Sequence, residues 1–314
     1  MGYKVKIISQ AEKERLMEKI YSSDLYERKA FIHGTCVKLF TDSKEFKEMW
    51  EDNFEQVPDW IRPHARVFAV SDTGFEVLYE PISKTVILHG CDYYGWVKSI
   101  ALGLVADFFE DFTSEHRRYS VHGSFVDVRG RGAAIIGPSG SGKTTLTYGL
   151  LLSRECNFMT DDWFFVRLTS NDVIVHSAEK NSYIRGDLEN SWPVFRKKLD
   201  GLKKDPQDRA IVDVKRMFGG DRIRSHSTLT KTILLTRNRK LPPTKELTPE
   251  EALAFMLEND FCNPHQLVRS KAKLAKRKSF FLELFRRAPV LLLNTIETPQ
   301  ESLGRLKKFM DVES

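Results

Sequence analysis

The sequence predicts an α/β protein. A mixed-sheet domain flanked by helices is expected over residues 115–314, with a smaller α/β domain over residues 1–114 before it. Three observations lead there. Short stretches rich in β-branched and aromatic residues alternate along the chain with longer stretches of helical spacing. A glycine-rich turn near mid-chain stands between an apolar strand and a helix. The charge balance also changes along the chain: residues 1–130 hold 17 Lys+Arg against 21 Asp+Glu, and residues 131–314 hold 32 against 22. The net charge of +6 therefore falls in the second part, which points to an anionic ligand or a basic surface there.

In the N-terminal part, residues 10–29 read as helix and Phe31–Phe40 as a strand. Ser43–Phe54 has Phe46, Trp50 and Phe54 on one helical face, and Pro58 and Pro63 mark a loop. Arg66–Val70, Gly74–Tyr79 and Thr85–Leu88 read as short strands, and Trp96–Phe112 as a long apolar helix. Nothing here has the spacing of a catalytic motif, so support, oligomer contact or substrate selection is the expected role.

The second part begins near Glu115. Val121–Val128 reads as a strand, Arg129–Gly132 as a turn and Ala133–Ile136 as a buried strand. A helix follows over Lys143–Ser153, then a strand at Asn157–Thr160 and a hairpin of Trp163–Leu168 with Val173–His176. A polar helical stretch comes next. Thr230–Thr236 and Pro289–Asn294 read as core strands, Thr248–Asn259 as a helix with Thr248 and Glu251 as a capping box, and Pro299–Met310 as a closing helix.

Composition narrows the class. With 41% hydrophobic and 29% charged residues the chain is globular. No apolar run approaches the ~18 residues of a membrane span, and the first residues lack the apolar core of a secretion signal. Cys36, Cys91, Cys156 and Cys262 form no C-x-x-C pair and no zinc spacing, so they read as reduced thiols. A soluble cytoplasmic protein is the expectation.

Residues 137–144, GPSGSGKT, fit G-x-x-x-x-G-K-[ST] at every position. A phosphate needs several successive backbone N–H groups within hydrogen-bond distance. Gly137, Gly140 and Gly142 allow that close approach, and the following helix aims its positive end at the same anion. Lys143 would reach the β- and γ-phosphates, and the Thr144 hydroxyl would join a Mg²⁺ shell. Ser139, Ser141 and Thr145 complete the expected nucleotide contacts.

Asp161 and Asp162 follow the strand Asn157–Thr160, at an interval from Lys143 that fits one helix and one return strand. Adjacent residues of an extended chain point to opposite sides, so one carboxylate would face metal and the other substrate. Asp161, first off the strand, is favoured as the base, which leaves Asp162 to the metal. His122 would lie near the pocket if its strand pairs with the one leading into the loop.

His122-Gly123, GPSGSGKTT and Asp161-Asp162, in that order and spacing, resemble the HPr kinase/phosphorylase family, whose catalytic domain is related to phosphoenolpyruvate carboxykinases. The resemblance covers about residues 118–190. It implies a P-loop kinase domain of the HPr-kinase C-terminal type that uses ATP and Mg²⁺ to phosphorylate a serine hydroxyl. In the family one Asp of the pair is the base, the His lies near it and the loop Lys contacts phosphate. Here those roles fall on Asp161 or Asp162, His122 and Lys143. The family's downstream Glu-Ile-Arg-Gly stands as Tyr183-Ile184-Arg185-Gly186, which keeps Arg185 as a nucleotide contact and lacks the metal-binding acid. A divergent HPr-kinase-like kinase is the description that follows, and the family allows a homo-oligomer.

Residues 269–287 hold eight Lys/Arg and one acid, with Leu274, Phe281, Leu282 and Phe285 as an expected apolar strip. They suit an anionic acceptor, a small molecule or a protein serine. RNA lacks a supporting module. The alternatives are a carboxykinase-like enzyme and a nucleotide-gated RNA-binding ATPase or RNA kinase.

Overall fold

The computed structural model describes residues 3–112 and 116–313. The chain divides into two compact units. One comprises Met1–Thr113, Ala178–Lys180 and Pro264–Ser270, the other Ser114–Ser177, Asn181–Asn263 and Lys271–Ser314. Two short later segments thus group with the N-terminal unit, which no shift in composition marks.

The first unit contains β1 (Val5–Ile7), α1 (Gln10–Ile20), β2 (Tyr26–Ile32), β3 (Thr35–Thr41), α2 (Lys44–Asn53), β4 (Glu55–Gln56), β5 (Ala65–Val70), β6 (Glu76–Glu80), β7 (Thr85–His89) and α3 (Tyr94–Asp111). Its seven strands form one mixed sheet in the order β1-β6-β7-β5-β3-β2-β4. Ser9 and Glu12 cap α1 reciprocally, and α1 stops at Ile20 rather than running on to residue 29. Residues 26–29 pair instead with β3, where seven cross-strand partners outweigh the helix preference of Glu27, Arg28 and Lys29. The stretch Phe31–Phe40 is likewise not one strand. His33 and Gly34, at φ +46° and +86°, make a two-residue turn that folds β2 back onto β3. α3 is buried along nearly its whole length, which explains its apolar composition. No helix among the described residues is long and apolar enough to cross a membrane.

The second unit contains β8 (Arg118–His122), β9 (Ser124–Val128), β10 (Arg131–Ile136), α4 (Lys143–Leu150), β11 (Cys156–Thr160), β12 (Trp163–Leu168), β13 (Val173–Ser177), β14 (Asn181–Arg185), α5 (Leu188–Ser191), α6 (Arg196–Leu199), β15 (Arg209–Asp213), α7 (Val214–Phe218), β16 (His226–Thr236), β17 (Thr244–Leu247), α8 (Pro249–Glu258), α9 (Lys271–Arg287), β18 (Val290–Asn294) and α10 (Pro299–Met310). Nine strands form a mixed sheet in the order β11-β9-β10-β16-β13-β12-β8, with β18 beside β16 and β17 beside β18. One apolar core gathers Ile135, Leu146, Tyr148, Trp192 and Leu306, from β10, α4, the segment after α5 and α10. The other gathers Phe125, Phe164, Met256, Phe281 and Leu284, from β9, β12, α8 and α9.

Four expectations change in this unit. Val121–Val128 is two strands, because Gly123 breaks it: β8 pairs with β12, while β9 pairs with β10 and β11. The His122 strand therefore does not pair with the strand that enters the loop. The polar stretch after β13 carries a two-stranded ribbon, β14 with β15, between short helices. α4 ends at Leu150, short of Ser153. On α9 the buried strip is Phe280, Phe281, Leu284 and Phe285, whereas Leu274 is exposed. Spacing alone left the helix phase open by one position, and packing against α8 fixed it.

β8–β9 and β11–β12 each pass from one end of the strand order to the other, at Gly123 and at Asp161-Asp162. The two crossings are tied together by the Gly123 N–H donating to the Asp162 carbonyl at 2.8 Å. Gly123 has no room for a side chain, since a Cβ would sit 2.8 Å from the Ile135 carbonyl and 3.2 Å from Ile136 Cγ1. This knot lies just before the loop that follows Ile136.

Candidate phosphate-binding site

β10 runs parallel to β16 and antiparallel to β9, so the loop leaves the carboxyl end of an interior strand. Open α/β sheets bind ligands at such ends. A Cβ on Gly137 would lie 2.6 Å from Ser141 Oγ and 2.8 Å from Leu235 Cβ, which keeps this first position free of a side chain. Gly140 and Gly142 take φ +77° and +100°, the left-handed region that favours glycine. No side chain caps α4, so its first N–H groups remain for an anion. The Ser141 hydroxyl is buried with no hydrogen-bond partner among the described residues, and Thr295 Oγ1 holds the loop by donating to the Ser141 carbonyl at 2.8 Å. An orphaned hydroxyl, open glycines and a bare helix end together fit a phosphate chain.

Lys143 Nζ donates to the carbonyls of Gly137 (2.7 Å) and Pro138 (3.2 Å), folding the ammonium over the loop. Burial pulls its pKa below the usual lysine value, and the Asp162 carboxylate acts against that pull. Ser139 is exposed at the loop tip, and Thr144 and Thr145 are half-buried on the first turn of α4.

The two aspartates divide as adjacent residues should. Asp161 is buried and accepts from Ser182 Oγ at 3.1 Å. It lies on the side of Tyr148, whose pKa is pushed up by burial first and by the Asp161 charge next. Tyr148 follows Thr144 by one helical turn on the same face of α4. Asp162 is about a third exposed, and its Oδ1 stands 3.2 Å from His122 Nε2. His122 Nδ1 in turn donates to the Cys262 carbonyl at 2.6 Å, and its ring meets Trp163 edge-on. His122 thus joins the site through β12, the partner of β8, and not through β10.

Arg185 ends β14 opposite Arg209, and its exposed side chain makes no hydrogen bond or ion pair among the described residues. Beside the loop lies a cavity of about 290 Å³, whose lining includes Gly142, Thr145, Asp187, Asn190, Arg237 and Thr295. Arg185 is not part of that lining. Among the described residues no group of three or more His, Cys, Asp or Glu is placed to hold a metal ion. Thr144 with one aspartate could serve a Mg²⁺ ion only alongside phosphate oxygens and water.

Sequence reasoning missed Ser182, Arg237, Thr295 and the Cys262 carbonyl. Arg237 and Thr295 each follow directly after a core strand, β16 and β18, and that position was the available signal. Ser182 lay in a stretch read as helical. A backbone carbonyl leaves no mark in the sequence.

No family model matches the chain. It is 26% identical over 297 residues to an HPr kinase/phosphorylase from Polaromonas sp., covering 92% of this chain and 85% of that one. It is 31% identical over 141 residues to an HPr kinase/phosphorylase from Chlorobium limicola, covering 45% of this chain and 37% of the relative. A solved structure, the HPr(Ser) kinase/phosphatase from Coxiella burnetii, aligns with TM-score 0.35 and 18% identity over 61% of this chain and 97% of its own. The chain is thus similar to HPr kinase/phosphorylases over most of its length, in line with the resemblance read from His122-Gly123, the loop and the aspartate pair.

Proposed function

We propose that the protein is an ATP-dependent kinase that transfers the γ-phosphate to an alcohol, with a protein serine as the first acceptor to test. One observation carries this reading: the loop that fits phosphate has a carboxylate, Asp162, near enough for its charge to act on Lys143 and 3.2 Å from His122 Nε2. A binding module needs the loop alone. A phosphotransferase also needs a proton acceptor beside it.

The β- and γ-phosphates would rest on the N–H groups of the loop and the start of α4, with Lys143 moving from its carbonyls onto phosphate oxygens. The cavity beside Gly142 and Thr145 has room for the nucleoside, and Arg237 and Asn190 offer it donors. Mg²⁺, when bound, would neutralise charge between the phosphates; Thr144 and Asp161, on the Tyr148 side of α4, are the residues suited to it. Asp162 would take the acceptor's hydroxyl proton as the oxygen bonds to γ-phosphorus and the bond to the bridging oxygen breaks. This gives the base role to Asp162 and not to Asp161, because only Asp162 is open to solvent and paired with an imidazole. The N-terminal unit would serve support or acceptor selection.

The test is transfer of label from [γ-³²P]ATP with Mg²⁺ into fractions of a cell extract. A labelled serine in a protein band, lost with Lys143→Ala, is the expected result. Nucleotide-dependent CO₂ release from oxaloacetate without labelled product would replace the reading with a carboxykinase. Hydrolysis without any labelled acceptor in any fraction would reduce it to an ATPase.

A further inference from the structure

Asp260, Phe261 and Cys262 hold φ angles of +48°, +55° and +53° in succession, with no glycine among them. L-residues visit this left-handed region singly, since each meets a clash between Cβ and the next carbonyl. A run of three persists only where the surroundings over-determine it. Here they do. Cys262 N–H donates to the Asn259 carbonyl at 2.8 Å, and Asn263 N–H donates to the Asp260 carbonyl at 3.1 Å. The Phe261 ring is buried and stacks on Phe281 of α9, with centroids 5.4 Å apart and planes 17° from parallel.

What the turn delivers is a single carbonyl. Cys262 O receives His122 Nδ1 at 2.6 Å, and a carbonyl can only accept, so Nδ1 carries a proton. The ring is then oriented, and Nε2 is the nitrogen left to face Asp162 Oδ1 at 3.2 Å. A right-handed turn over the same residues would aim the Cys262 carbonyl in another direction and leave the ring free to flip.

We infer that the left-handed turn Asp260–Cys262 is a positioning device. It fixes the tautomer and orientation of His122 through the Cys262 backbone, so that Nδ1 holds the proton and Nε2 is turned toward Asp162 next to the phosphate loop. The assignment of Asp162 as base rests on the kinase reading; the tautomer does not.

The experiment uses the full chain labelled with ¹⁵N at histidine, without nucleotide or acceptor, so it succeeds or fails independently of the transfer assay. The His122 ring signals are identified by their loss in His122→Gln. In the unaltered chain Nδ1 should show the shift of a protonated nitrogen; an unprotonated Nδ1 overturns the inference outright. Asp260→Pro cannot take a positive φ, and should replace the single Nδ1-protonated signature by the tautomer mixture of an untethered imidazole. Where that variant does not fold, Phe261→Ala removes the Phe281 anchor, leaves every backbone group in place, and should give the same mixture. Retention of the single signature in whichever of these variants folds means that something other than the turn holds the ring. Asp260→Gly accepts the positive φ and should keep the signature.

Discussion

Removing the Lys143 ammonium gives the most direct measure of the proposed phosphate site. In the free protein Nζ rests on the Gly137 and Pro138 carbonyls, and nucleotide would draw it onto phosphate. A unit charge pair at 4 Å is worth about 4 kcal/mol at an effective dielectric of 20. Giving up two carbonyl contacts offsets part of that, leaving about 2–3 kcal/mol, or about a 30- to 150-fold loss of affinity in Lys143→Ala. The assay is equilibrium binding of a fluorescent ATP analogue with Mg²⁺, alongside a thermal melt that checks folding. The pH dependence has a definite sign. Burial lowers the free-state pKa below the ordinary 10.5, and only the ammonium attracts phosphate. Affinity should therefore fall as pH rises through that depressed value, earlier than for a solvated lysine, and this fall should vanish in Lys143→Ala. A variant that melts normally and binds as tightly as the parent would refute the placement of phosphate on this loop.

The aspartates should separate by phenotype. Asp162→Asn is expected to lose about 10²–10⁴ in transfer rate with nucleotide affinity nearly kept, and Asp161→Asn to lose the Mg²⁺ dependence of binding; identical behaviour in both assays would contradict the division of roles. Gly123→Ala forces a Cβ to 2.8 Å from the Ile135 carbonyl, an overpacking of about 1–3 kcal/mol. Calorimetry should show a Tm lower by about 2–4 °C for each kcal/mol, and an unchanged Tm would mean that the crossing is looser than described. All four cysteines are buried, and burial pushes the thiols of Cys91 and Cys156 to about 11 and that of Cys262 to about 12. At pH 8 only about one in a thousand or fewer of these three is a thiolate, and burial also raises the Cys36 thiol, so an aromatic disulfide reagent should label the native chain slowly and all four thiols at once in denaturant. Rapid native labelling would show that one of these sites opens.

The phosphate loop was legible because its chemistry is local. Glycines at three set positions, a lysine and a threonine answer to one anion whatever surrounds them, and an apolar strand before and a helix after suffice to orient it. The capping box at Thr248 was equally readable, since a cap joins residues only three apart, and the structure adds a second of the same kind at Thr298 with Glu301. Where partners are distant in sequence, reading failed. Residues 26–29 carry helix-favouring side chains and became strand because β3 paired with them. β14 lay in a stretch taken as helical, and only its pairing with β15 made it a ribbon. Nothing in Val121–Val128 announces that its halves pair with different strands, although a glycine in a strand is the usual trace of such a break.

The sequence by itself determined that a glycine-rich loop with the spacing suited to an anion sits on a strand–helix junction and that two adjacent carboxylates must point apart. Only the tertiary structure decided which of them faces the loop, because that depends on the hydrogen bond from Gly123 to the Asp162 carbonyl and on the ring of His122 across β8 and β12. Short-range steric and electrostatic demands are written in residue types at fixed spacing. Strand partners and backbone carbonyls such as that of Cys262 are chosen by how the whole chain closes, and no single residue type records that choice.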